Sequence, residues 1–246
     1  MDTGNEKEID FDLYTMLNKR SEEMKDFYVP FFENENDLNR LMELASDYDD
    51  KNSQIRLSIL QIYNFVSLAN DIETIRPARD PLRIFFLKTC MDSLYNISGE
   101  NNKKTFYKEF EKSFSEEGKS YILSHFKYMG LSIFEKMSPE QIVKNNKYNK
   151  PFKLNHFLNL MKAVRDMVVH DGDYWSTQFF AQDDDSFWST EINTKEDILE
   201  TGCKEQKEYS FYTTLEYSKF IDYFVEACVR FICKKHKNLI CGQENN

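Results

Sequence analysis

Three residues able to act on a phosphate ester fall within one short run, Arg165-Asp166-Met167-Val168-Val169-His170. If the run is helical, the five-residue step from Arg165 to His170 turns about 140°, so both can line a cleft between helices. Asp166 and His170 are four residues apart and share a face, which lets the carboxylate orient the imidazole. A helix C-terminus gathers carbonyl dipoles and favours the protonated ring. A guanidinium holds phosphate oxygens in a fork while a histidine moves a proton, so the combination suits phosphodiester chemistry.

The approach to this run has its own charge pattern. Asp and Glu total 42 residues, yet none lies between Glu140 and Asp166. The interval carries Lys144, Lys147, Lys150, Lys153 and Lys162 among Asn145, Asn146, Asn149 and Asn155. Such a basic, amide-rich strip can hold an RNA backbone in a chain whose net charge is -10.

The elements that must position these groups are helices. Only 7 Gly and 5 Pro are available, too few to punctuate a many-stranded β-fold, while 21 Phe and 14 Tyr supply a globular core. The patterning predicts helices over 11–28, 37–48 and 53–75, the last with so wide an apolar face that it belongs at the centre of a bundle. Asp80-Pro81 reads as an N-cap followed by a first-turn proline, opening a helix that runs towards Gly99. A helical stretch over 106–126 contains Gly118 as its expected break, and Ser138-Pro139-Glu140-Gln141 is a second start signal. The motif helix runs from about 154 to 170 and stops before Gly172, placed for a left-handed cap. A final helix covers about 209–236.

Residues 171–208 differ in kind, with many acids set among Trp175, Phe179, Phe180, Phe187 and Trp188. They read as an irregular acidic-aromatic insertion packed on the domain, with room for a short hairpin. The expected organisation is therefore an N-terminal helical extension over 1–50 and a helical domain over 51–240 that carries this insertion. The fold class is all-α, a helical bundle.

The five cysteines form no CxxC pair, so thiols in a reducing cytosol are expected rather than a disulfide framework or structural zinc. Residues 1–10 are acidic and lack the apolar core of a signal peptide, and no apolar run approaches 18 residues. A cytoplasmic protein without a membrane partner or cofactor is the expectation.

An arginine, a polar residue, three mostly apolar residues and a histidine at a helix end resemble the Rx4-6H signature of the HEPN superfamily of ribonucleases. Arg165, Asp166 and His170 match its arginine, its frequent polar second position and its histidine. The resemblance implies an up-and-down helical bundle that dimerises with the two motifs facing each other across a cleft. It also implies metal-independent RNA cleavage by the ribose 2′-hydroxyl, leaving a cyclic phosphate, in a toxin or antiviral effector. A partner antitoxin or other regulatory protein is a further implication. One toxin branch has a modified tyrosine two positions after the histidine; Gly172 stands there, so that regulation is not carried over.

Two other readings compete. Exposed aromatics ringed by carboxylates in 171–208 suit a non-catalytic interaction module or the regulated subunit of a defence complex. The doublet His170-Asp171 is also found in metal-dependent HD phosphohydrolases, although His125 and His156 supply no second doublet or ligand spacing. Asp183-Asp184-Asp185 lacks the spacing of a calcium loop and reads as a solvated docking surface.

Overall fold

The computed structural model describes residues 5–131, 152–179, 188–200, 202 and 207–237. Among them are eight α-helices: α1 (Asn5–Tyr28), α2 (Glu35–Ser46), α3 (Ser53–Ile75), α4 (Asp80–Ile97), α5 (Lys103–Ser113), α6 (Glu116–His125), α7 (Leu154–Asp171) and α8 (Tyr217–Lys235). Strands β1 (Phe126–Leu131), β2 (Trp188–Thr194) and β3 (Lys207–Thr213) form one antiparallel sheet in the order β1-β3-β2. The chain is thus mostly helical, in the all-α class, with a small sheet added.

Packing divides it into two units, residues 1–63 with 232–246 and residues 64–231, so the division runs through α3. In the first unit α2 buries Leu38, Leu41, Leu44 and Ala45 at helical spacing. The buried Tyr28 hydroxyl donates to the Ile59 carbonyl at 2.7 Å, and Phe27 meets Tyr63 edge to face. Along α3 the buried residues Ile55, Ile59, Ile62, Val66, Ala69 and Ile72 make a single stripe. Leu57 and Leu68 are exposed, so the buried face is narrower than the apolar content of the helix predicts.

The second unit contains the motif. Asp80 does not cap α4; it lies inside the first turn, where its buried carboxylate accepts from Arg83 at 2.9 Å and from the Phe179 amide at 2.7 Å. Gly118 does not break a helix either. The break falls at Phe114-Ser115, and the Ser115 hydroxyl caps α6 by accepting from the Gly118 amide. Gly118 is required for another reason: a Cβ there would meet the Tyr223 ring at 2.9 Å.

The sheet takes residues that the sequence reading gave to the last helix. Tyr209, Phe211 and Thr213 on β3 are all buried, an alternation with period two. Phe126 on β1 then joins the sheet to α7 through Phe211 and Phe157, with ring centroids 5.2 Å apart in both contacts. Helix α8 consequently begins at Tyr217. The expected start signal at 138–141 lies outside the described residues.

Candidate functional site

Helix α7 is held by one face and left open at its end. Leu154, Phe157, Leu158, Met161, Val164 and Val168 recur at three- and four-residue steps and are buried. At its start the Lys153 amide donates to Nδ1 of His156 at 3.2 Å. At its end Gly172 adopts a left-handed conformation with φ 64°, and the Asp173 amide returns to the Met167 carbonyl at 3.3 Å. This is the glycine stop that the sequence predicts.

Arg165 faces α4. Its Nη2 lies 3.5 Å from Oδ2 of Asp92, and its Nε lies 3.1 Å from Oδ1 of Asp166 without the alignment of a hydrogen bond. Asp92 is shared further, with Lys88 at 2.6 Å and Lys103 at 3.6 Å. Asp166 also faces Lys162 at 3.6 Å, and Lys162 pairs with Glu196, just beyond β2. Arg165 therefore belongs to an ion-pair network that ties α4, α5, α7 and the segment after β2 together. The side chain keeps 24% of its surface exposed.

His170 has different surroundings. It is exposed in the last turn of α7, beside Val169, which is also exposed. Among the described residues no hydrogen bond or ion pair reaches it. The expectation that Asp166 orients His170 is not met here: Asp166 is turned to Arg165 and Lys162, and steadies the arginine instead. Of the proposed RNA-binding lysines, Lys153 is exposed at the start of α7 and Lys162 is engaged by two carboxylates. Lys144, Lys147 and Lys150 lie outside the described residues.

The network has a buried floor that the sequence reading missed. Lys88 is 1% exposed, and burial pulls its ammonium down to about 8 against the opposing pull of Asp92. Its Nζ sits 5.5 Å from the ring centre of Tyr107, whose buried hydroxyl is pushed up by desolvation and by Asp92. Lys88 and Asp92 are spaced for an ion pair on one helix face, a legible signal. Nothing in the sequence links them to Arg165.

One cleft borders α7 and another lies beyond its C-terminal end. One, of about 540 Å³, is lined by Lys104, Tyr107, Asn155, Asn159 and Glu200. The segment after β2 closes over it, with Asn159 donating to the Ile198 carbonyl at 3.2 Å and Asn155 to Glu200 at 3.0 Å. That packing accords with an insertion folded onto the domain. The other cleft, of about 440 Å³, is lined by Arg76, Arg79, Leu82 and Tyr174, the last just beyond the glycine stop.

No group of three or more His, Cys, Asp or Glu able to hold a metal ion occurs among the described residues. No described helix is long and apolar enough to cross a membrane. No protein-family model, curated protein or solved structure matches the chain.

Proposed function

We propose that this chain is a HEPN-type, metal-independent endoribonuclease whose active site forms between two copies, each contributing Arg165 and His170. The observation that carries the reading is the placement of His170, exposed and without a partner among the described residues at a glycine-stopped helix end, with Arg165 anchored a turn and a half back on the same helix. An imidazole free of internal partners can take the proton from a ribose 2′-hydroxyl as that oxygen attacks the adjacent phosphorus. Arg165, held by two carboxylates, offers its remaining donors to the non-bridging oxygens as charge builds there. The 2′-oxygen–phosphorus bond forms, the bond to the 5′-oxygen breaks, and the departing oxygen needs a proton. One helix end supplies one histidine; a second copy facing it supplies the acid. The products carry a 2′,3′-cyclic phosphate and a 5′-hydroxyl. Action as a toxin or antiviral effector held by a regulatory protein belongs to the same proposal.

The test is cleavage of single-stranded RNA by wild type and by His170→Ala in the presence of a chelator. Wild type should cut and leave cyclic phosphate ends, with at least a hundredfold loss in the variant. Undiminished cutting by His170→Ala, or complete inhibition by chelation, would overturn the reading. A second reading, a non-catalytic interaction module, is favoured by the exposure of Val169 and Trp175 beside the motif. It gains if the protein binds RNA or a protein partner and cuts nothing.

A further inference from the structure

We infer that the cleft beyond the glycine stop is a nucleotide subsite, in which Arg76 and Arg79 hold a phosphodiester and Tyr174 stacks on the adjoining base of single-stranded RNA. The inference rests on the ribonuclease reading for its substrate and on separate residues for its evidence.

Arg76 is exposed, and neither it nor Arg79 has an ion-pair partner among the described residues. The acids that bracket them are already engaged: Glu73 lies 2.7 Å and Asp80 2.9 Å from the guanidinium of Arg83. Of the acids on the facing segment, Asp171 is exposed, while the Asp173 carboxylate accepts the Trp175 amide at 2.8 Å in a local turn. Two arginines thus keep their charge for an external anion in a chain of net charge -10.

The aromatic side is equally unusual. Trp175 is 61% exposed, and Arg79 lies over its ring at 3.1 Å from the centroid. That stack fixes the direction of the guanidinium. The loop that presents Arg79 holds Ala78 at φ 56°, a conformation L-residues rarely adopt, and the Ala78 carbonyl accepts from Arg79 Nη1. Tyr174 shares the cleft wall, so a flat ring and two cations converge on about 440 Å³ of open space. Aromatic faces with arginines beside them bind nucleobases and their phosphates with little regard to sequence.

Position joins the cleft to the candidate active site. Tyr174 follows His170 by four residues, so their Cα atoms are at most about 15 Å apart. A strand whose scissile phosphate lies at His170 can therefore place a neighbouring nucleotide in the cleft.

The experiment measures binding of a labelled oligouridylate by anisotropy, in a His170→Ala background so that the strand stays whole. Arg76→Glu with Arg79→Glu should weaken binding at least tenfold and flatten its salt dependence. Tyr174→Ala should cost about tenfold and Tyr174→Phe little. Arg76→Glu alone is the check against a folding defect, because that side chain is exposed and has no ion-pair partner among the described residues. Binding within twofold of the parent in the double variant would overturn the subsite, as would no binding by the parent. Equal competition by an oligoglutamate of the same charge would overturn it in favour of a docking patch for acidic proteins. Lost binding in the arginine variants with no cleavage by wild type would leave the subsite standing and remove the ribonuclease reading. Intact binding with normal cleavage removes the subsite alone.

Discussion

Arg165 and His170 share one helix and one motif, yet they occupy opposite surroundings. The arginine sits in a network of four cations and three carboxylates with Lys88 as its buried floor, and the histidine stands exposed with no partner among the described residues. Arg165 is part of the fold whether or not it touches a substrate. His170 makes no hydrogen bond or ion pair among the described residues. A motif match treats the two as equals; their environments do not.

Breaking the network at its most shared member gives the largest effect. Asp92→Ala strands the Lys88 ammonium in the interior, and unfolding in urea should show a loss of roughly 3–5 kcal/mol. A smaller loss would mean that Lys88 sheds its proton and tolerates burial.

The second test uses pH. Burial lowers the Lys88 pKa to about 8 in the folded chain, while the unfolded chain keeps the ordinary value near 10.5. Between those values the unfolded state binds more protons, so stability rises with pH through that window. The rise should reach at most roughly 3 kcal/mol. It should be resolved between pH 8 and 10, before tyrosines titrate in the unfolded chain. Lys88→Met should flatten it, and an equal slope in that variant would assign the titration elsewhere.

The comparison itself is sharpened by a pair of substitutions. Arg165→Ala should cost about 2 kcal/mol by leaving two carboxylates short of a partner. His170→Ala should stay within about 0.5 kcal/mol of wild type. Thermal melts of the two proteins side by side decide it. Equal losses would mean that His170 is held by contacts after all, and its claim to a free catalytic role would weaken.

Much of the helical framework was legible because its signals are local. The full span of α3, the glycine stop at Gly172 and the break between α5 and α6 all follow from periodicity or capping, although Gly118 was misassigned its role. The sheet was harder. Tyr209, Phe211 and Thr213 alternate as a buried strand does, but Leu215 and Phe220 follow closely and invite a single long helix. Strand β1 carries no such alternation and exists because β3 pairs with it. At the site, the motif was visible and its partners were not. Asp92 and Glu196 meet α7 only through tertiary packing, and that packing turned Asp166 away from His170.

The segment after α7 is tied at both ends, by Asp173 to the Met167 carbonyl and by Phe179 to the Asp80 carboxylate. Five residues between two fixed points form a closed loop whose conformational freedom is already spent in the folded chain. Tyr174 and Trp175 ride on that loop. Their rings are presented to solvent as part of a braced arch, so a ligand arriving there meets a surface that has little ordering left to do.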